Sequence, residues 1–135
     1  MSNDALDFLT QAKALQTISA NEMEHRTATN RAYYSVYHNA LHIKERLTLP
    51  DATRQHGGSH ARLYSSLEEC RPRHSTQNFD VQRFGIMASR LLKPYRVNAD
   101  YHTHLPFPKG IMGGAIEKAE LLMNITNSIV AMHEP

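Results

Sequence analysis

Hydrophobic residues recur at spacings of three and four along most of this chain, which is the spacing of an α-helix that buries one face. The pattern predicts four long helices and one short helix, and no segment alternates polar and apolar residues as a strand would. The predicted helices are one that begins at Asn3 or Asp4 and others that cover about residues 27–47, 59–69, 78–95 and 111–133.

Residues that favour turns separate these helices. Pro50, Gly57 and Gly58 lie in one polar loop, and the segments RPRHS and LPFPKG divide the later helices. Within the second helix the apolar residues form a single stripe, which consists of Tyr33, Val36, Tyr37, Ala40, Ile43 and Leu47. Amphipathic helices of this kind bury their stripes against one another. The sequence therefore predicts an all-α, four-to-five-helix up-and-down bundle, with residues 1–135 as a single domain.

Composition places the chain among soluble globular domains. Its 135 residues are 41% hydrophobic and 21% charged, and the formal net charge of +2 neither indicates nor excludes a nucleic-acid partner. No apolar run approaches the roughly 20 residues that cross a bilayer, and the N-terminus is acidic where an export signal is basic. A single cysteine, Cys70, excludes an internal disulfide. The sequence therefore predicts a cytoplasmic protein without a membrane partner.

The segment PYRVNADYHTHLP, from Pro94 to Pro106, concentrates side chains that can do chemistry. Within nine residues it carries an arginine, a carboxylate, a tyrosine and two histidines. On residue types alone it can be a solvated helix end, a metal site or a catalytic arginine–histidine pair. Pro94 also indicates that the fourth helix is kinked or ends near this segment.

Two segments of the chain resemble the HEPN family. TNRAYYSVYHNAL, from Thr29 to Leu41, is similar to the tyrosine-rich second helix of that family. RVNADY, from Arg96 to Tyr101, is similar to the end of the fourth helix in a group of small stand-alone members. Between them, RQHGGSHARL, which includes His60, matches a loop with histidine and serine that precedes the third helix of that group. The resemblance covers about residues 5–133.

The resemblance implies a homodimeric helical bundle that acts as a metal-independent endoribonuclease without a cofactor. It implies a toxin or defence effector whose partners are RNA and a nucleotidyltransferase-type antitoxin, and whose products carry 2′,3′-cyclic phosphate and 5′-hydroxyl ends. His104 occupies a position where antitoxin-modified members often have a tyrosine, which argues against that form of regulation. The alternative is a non-catalytic HEPN-like module that binds a nucleotide, RNA or a partner protein.

The signature of this family, an arginine and a histidine separated by four to six residues, occurs twice in the chain. Five residues separate Arg96 from His102, and six separate Arg31 from His38. Arg31 and His38 fall on one line of the second helix, about 10 Å apart along its axis, opposite the apolar stripe. Their positions predict a solvated polar face, and the pair remains the alternative candidate for the catalytic arginine and histidine. His38 and His42 also have the spacing of a metal-binding pair, but no third ligand is evident, so we predict no metal site.

Arg96 and His102 form the preferred catalytic pair, because the family places its motif at the end of the fourth helix. In a regular helix the two would lie about 120° apart, with His102 towards the core. The catalytic reading therefore needs a helix break or a dimer cleft here. The simpler alternative is an ion pair between Arg96 and Asp100, one helical turn apart.

Supporting roles are predicted for the residues around this pair. An arginine can stabilise the negative charge of a phosphate transition state, and a histidine that titrates near neutrality can transfer protons. Asn98 and Asp100 are predicted to orient the catalytic pair. Tyr101, His104 and Arg90 are predicted to bind RNA by stacking or by charge.

Overall fold

Helices form all the regular secondary structure in the described part of the chain. The computed structural model describes residues 4–53, 57–102 and 104–133, so the alternative helix start at Asn3 lies outside them, as do residues 54–56 of the RQHGGSHARL segment. The elements are α1 (Asp4–Ile18), α2 (Glu22–Arg46), α3 (Ser59–Glu68), α4 (Asn78–Met87), a π-helical turn (Ala88–Leu92), α5 (Lys93–Tyr101) and α6 (Lys109–Ala131). No strand occurs in these residues, and the predicted all-α bundle is confirmed.

The core forms around α2, which contacts each of the other helices. Its predicted apolar stripe is confirmed, because Tyr33, Val36, Ala40 and Ile43 are each at most 1% exposed. Tyr37 packs against them with part of its surface exposed. The other large share of the core comes from α6, which contributes Met112, Ala115, Ile116, Ala119, Leu122 and Ile129. Burial of these side chains is the main favourable term in the stability of the bundle.

The second helix begins at Glu22, earlier than the predicted start near residue 27. The side chain of Asn21 accepts a hydrogen bond from the backbone N–H of Glu24 at 2.9 Å. In return, Oε1 of Glu24 accepts one from the backbone N–H of Ala20 at 3.2 Å. These contacts satisfy backbone donors that a helix start leaves free. The added turn brings Arg26 onto the buried face of the helix.

The π-helical turn joins α4 to α5 immediately before the pyrrolidine ring of Pro94. Proline has no N–H, and its ring collides with the carbonyl group four residues earlier in a regular α-helix. The wider π turn relieves this collision without ending the helix. The chain then continues as α5 and leaves helical geometry after Tyr101, so His102 is the first residue beyond the helix. The distortion near Pro94 therefore precedes both residues, and it is the end of α5 that separates Arg96 from His102.

Gly85 allows α3 and α4 to pack closely. A Cβ atom at this position would lie 2.8 Å from the carbonyl oxygen of Tyr64 and 3.0 Å from Cγ of Glu68. Only glycine permits this approach of backbone to backbone. The contact fixes the position of α3, the helix that carries both His60 and Tyr64.

Two simpler predictions also concern the fold. In the part of the chain that the structure describes, no helix is both long and apolar enough to span a bilayer. Cys70 is buried and free, and burial raises the pKa of its thiol. A buried thiol with a raised pKa is a poor nucleophile, so we assign Cys70 to the core.

Candidate functional site

Three tyrosines surround the guanidinium group of Arg96, which lies on α5. Its Nη2 donates to the hydroxyls of Tyr34 and Tyr101, both at 3.3 Å. The guanidinium carbon lies 5.8 Å from the ring centroids of Tyr33 and Tyr34 and 5.2 Å from that of Tyr101. Only 18% of the Arg96 side chain is exposed. The aromatic rings thus hold a cation at the surface of the bundle, where cation–π attraction favours it.

Asp100 fixes the orientation of Arg96 from the same helix. Its Oδ2 lies 3.2 Å from Nε of Arg96, an ion-pair contact without hydrogen-bond geometry. The same oxygen accepts a 2.8 Å hydrogen bond from Nδ2 of Asn30 on α2. The predicted pair between Arg96 and Asp100 is therefore present. Burial works to lower the pKa of Arg96, but the Tyr34 hydroxyl and the neighbouring Tyr101 and Asp100 raise it, so the guanidinium stays charged.

His60, near the start of α3, packs against the tyrosines of α2 that surround Arg96. Its ring packs on Tyr37 with centroids 4.3 Å apart, and it stacks on Tyr33 at 5.7 Å. Burial lowers the pKa of His60, and the positive charges of Arg96 and Lys93 lower it further. The imidazole is therefore held in its neutral form at neutral pH. His60 was not among the predicted site residues, although it lies in the RQHGGSHARL segment that marks the resemblance.

Two buried tyrosines connect His60 to the core. The Tyr64 hydroxyl donates to the Tyr33 hydroxyl at 2.6 Å, and the Tyr33 hydroxyl lies 2.7 Å from Nδ1 of His60. Burial raises the pKa of Tyr33 to about 12 and also raises that of Tyr64. Both phenols consequently keep their protons at neutral pH.

The Tyr64–Tyr33–His60 chain predicts unequal costs for two matched substitutions. Tyr33→Phe is expected to lower the free energy of unfolding by about 2 kcal/mol, because it leaves the buried Tyr64 hydroxyl without an acceptor. Tyr64→Phe removes only the inner donor and is expected to cost about 1 kcal/mol. Urea unfolding of both variants and of the double variant measures these costs. The double variant should be no less stable than Tyr33→Phe alone. A fully additive loss would contradict the hydrogen bond from Tyr64 to Tyr33.

His102 is half-buried, and its ring lies 6.0 Å from that of His104 at a near-perpendicular angle. Among the described residues no hydrogen bond or ion pair joins His102 to Arg96. Asn98 is exposed, and its backbone carbonyl accepts a hydrogen bond from Arg26. Arg90 is exposed on the π-helical turn. The predicted site residues therefore lie along one segment, with the tyrosines and Asp100 as the direct neighbours of Arg96.

The second arginine–histidine pair lies on a different face of α2. The ring of His38 stacks on Phe8 of α1 at 5.2 Å, and the guanidinium of Arg31 lies 5.8 Å from the same ring. His38 Nδ1 also lies 3.9 Å from a carboxylate oxygen of Asp4. The prediction of a solvated polar face was wrong here, because α1 packs across it and leaves Arg31 and His38 half-buried.

Beside this face lies a cavity of about 710 Å³, lined by Asp4, Ala5, His38, Leu41, His42, Glu45 and Arg46. Within the described ranges, no group of three histidine, cysteine, aspartate or glutamate side chains is placed to hold a metal ion. The cavity also lies away from Arg96, because none of its lining residues contacts that side chain.

Arg26 and Glu22 hold the end of α5 and the segment that follows it. Arg26 is 6% exposed and donates to the carbonyl oxygens of Asn98 at 2.6 Å and Ala99 at 3.2 Å. It also donates to the carbonyl of Leu105 and lies over the ring of Phe107. Oε1 of Glu22 accepts a 2.7 Å hydrogen bond from the backbone N–H of Phe107. Sequence reasoning missed both residues, because it started this helix too late.

Comparison with known proteins adds no assignment. No protein-family model, no curated protein and no solved structure matches the chain.

Proposed function

We propose that this protein is a metal-independent endoribonuclease of HEPN type, which acts on RNA as a homodimeric toxin or defence effector. The observation that carries the proposal is Arg96, a charged and partly exposed guanidinium held among tyrosine rings beside a neutral histidine. Its two hydrogen bonds to tyrosine hydroxyls are long, at 3.3 Å. A phosphate oxygen makes shorter, charge-assisted bonds with arginine and can replace them.

The proposed reaction is an internal transfer at phosphorus. The 2′-hydroxyl loses its proton to a base and its oxygen bonds to phosphorus, while the bond from phosphorus to the 5′-oxygen breaks and that oxygen gains a proton. The products are a 2′,3′-cyclic phosphate and a 5′-hydroxyl. Arg96 would stabilise the negative charge that gathers on the phosphate oxygens. His102, next along the chain after α5, would serve as an acid or a base.

The resemblance and the position of His102 support a dimeric site. A reaction that both takes and gives a proton uses two acid–base groups, and His102 supplies one per chain. A two-fold symmetric dimer that pairs the ends of two α5 helices would supply the second. In such a dimer the histidine of one subunit can act on a phosphate held by the arginine of the other. The missing contact between Arg96 and His102 within one chain is compatible with this arrangement.

RNA cleavage in the presence of a chelator tests the proposal directly. Wild-type protein is expected to cut single-stranded RNA and to leave 2′,3′-cyclic phosphate ends, identified by end-group analysis. His102→Ala is expected to slow cleavage by about 10²-fold, the usual contribution of a proton-transfer group. His104→Ala is the matched control and should cost only a few-fold, because His104 is predicted to bind RNA. Intact RNA with wild-type protein, or equal cleavage by wild type and His102→Ala, would rule out the assigned mechanism.

The second candidate is a non-catalytic module that binds RNA. The observation that favours it is the same separation of Arg96 from His102 within the described residues. Tyr101, 64% exposed, offers a ring on which a base can stack beside the charge of Arg96. RNA binding that depends on Arg96, without cleavage by wild-type protein, would favour this candidate over the nuclease.

A further inference from the structure

The Tyr64–Tyr33–His60 chain dictates where the protons of its three polar groups lie. Tyr64 is fully buried, and its hydroxyl donates to the Tyr33 hydroxyl. Tyr33 is 1% exposed and protonated, and while it accepts from Tyr64 its own proton can go only to Nδ1 of His60, at 2.7 Å, among the described residues. In the reverse arrangement Nδ1–H donates to Tyr33 and Tyr33 donates to Tyr64, which leaves the proton of the fully buried Tyr64 hydroxyl without an acceptor among the described residues. A buried hydroxyl proton without an acceptor is unfavourable, so the first arrangement is preferred.

The direction of these hydrogen bonds defines the tautomer of His60. Because Nδ1 accepts the Tyr33 proton, a neutral imidazole carries its own proton on Nε2. The lone pair that would accept a proton is already engaged by Tyr33, so His60 is poorly suited to act as a base. It is instead an uncharged N–H donor, fixed in its tautomer by a neighbour, as histidines in binding sites commonly are.

Arg96 and His60 share the same aromatic platform. The Arg96 guanidinium lies 5.8 Å from the ring centroids of both Tyr33 and Tyr34. The His60 ring lies 5.7 Å from the first of these centroids and 6.4 Å from the second. Both side chains are partly exposed. A neutral donor can stand beside a permanent cation without repulsion, and two such donors suit the several oxygens of one phosphate group.

We propose that His60 is a second phosphate-binding residue, which donates from Nε2–H to a non-bridging oxygen of the RNA phosphodiester that Arg96 holds. The inference rests on the proposed function, because it takes the ligand of Arg96 to be an RNA phosphate. It assigns to His60 a role different from that of His102. His60 binds and orients the phosphate, and His102 transfers protons.

The tautomer can be measured without any activity. In protein labelled with ¹⁵N histidine, nitrogen–proton correlations identify which ring nitrogen of His60 carries the proton. We expect protonation at Nε2 in the wild type and in Tyr64→Phe, where Tyr33 still donates. In Tyr33→Phe the two tautomers should mix, because the donor to Nδ1 is gone. A proton on Nδ1 in the wild type would overturn the inference.

Binding of an uncleavable, 2′-O-methyl single-stranded oligonucleotide tests the phosphate contact. His60→Leu is expected to weaken binding about tenfold, the scale of one hydrogen bond to a charged group. His60→Gln retains an N–H donor near the position of Nε2 and should recover most of that loss. A purely structural role for His60 would give no such recovery, and equal binding by Leu and Gln variants would contradict the proposal.

Arg96→Ala, measured with the same oligonucleotide, separates the two proposals. If Arg96→Ala binds as tightly as the wild type, the proposed function fails and takes the His60 contact with it. If Arg96→Ala loses affinity while His60→Leu binds normally, only the His60 contact fails. Thermal unfolding of each variant verifies that the bundle remains folded in the binding assay.

Discussion

Arg26→Met will lower the free energy of unfolding by about 3 kcal/mol, a large loss for a single substitution. Methionine can fill much of the space of the arginine stem, but it donates no hydrogen bond. The carbonyl groups of Asn98, Ala99 and Leu105 would then lose a charged donor, in a buried setting at Ala99 and a part-buried one at the other two. Equilibrium unfolding in urea measures the loss.

Arg31→Met is the matched control for this prediction. Arg31 also lies on α2, but it is half-buried and its described contact is with the ring of Phe8. An exposed or half-exposed cation–π contact contributes about 0.5–1 kcal/mol, so the control should lose no more than that. Similar losses in the two variants would show that Arg26 acts as an ordinary helix residue.

Amide hydrogen exchange can locate the effect of Arg26→Met. The end of α5 and the Phe107 segment depend on Arg26 and Glu22, whereas the contact between α2 and α6 is made by core side chains elsewhere. We therefore expect Arg26→Met to speed amide exchange, relative to the wild type, more at residues near Asn98 and Phe107 than in α6. Because Arg96 and Asp100 lie on α5, the same variant should also disturb the packing of Arg96 among its tyrosine neighbours.

Local patterns in the sequence were sufficient to predict the helices and part of the candidate site. The apolar stripes of α2 and α6 could be predicted, because burial of one helical face repeats every three to four residues. The ion pair between Arg96 and Asp100 could be predicted for the same reason, since both side chains lie one turn apart on α5. Pro94 marked the place of the helix distortion, although its form as a π turn was not predicted.

Contacts between distant residues could not be predicted from these patterns. Arg26 meets its carbonyl acceptors 72 to 79 residues later, and Tyr33 meets His60 27 residues later. Periodicity indicates that a position is buried, but it does not name the partner. Had α2 been extended by one turn, Arg26 would have fallen seven residues before Tyr33 on the buried stripe, which is a signal for a charged residue with buried acceptors.

The wrong expectation for Arg31 and His38 has the same origin. Their line on α2 is opposite the apolar stripe, which in an isolated helix indicates a solvated face. In the bundle, Phe8 of α1 packs on both side chains. A central helix that contacts helices on several sides has no fully solvated face, and only the packing of the bundle reveals this.

Arg96→Ala is expected to reduce RNA cleavage by about 10³-fold, because the transition state would lose its main stabilising charge. The bundle should remain folded but lose about 1–2 kcal/mol of stability, since the side chain makes two long hydrogen bonds, one ion pair and three ring contacts at a position that is 18% exposed. Arg96→Lys keeps the charge but loses the forked geometry, and should cleave about tenfold faster than Arg96→Ala while remaining far below the wild type. Single-turnover cleavage at saturating protein measures both rates.

Arg83→Ala provides the control for Arg96, because Arg83 is an exposed arginine on α4, paired with Asp80 at 3.1 Å. It should leave cleavage within about twofold of the wild type, as expected for a surface charge outside the site. RNA affinity measured against salt concentration adds a second readout. Loss of one phosphate contact reduces the slope of log affinity against log salt by about 0.7 for single strands. An unchanged slope and an unchanged rate in Arg96→Ala would show that Arg96 has a structural role only.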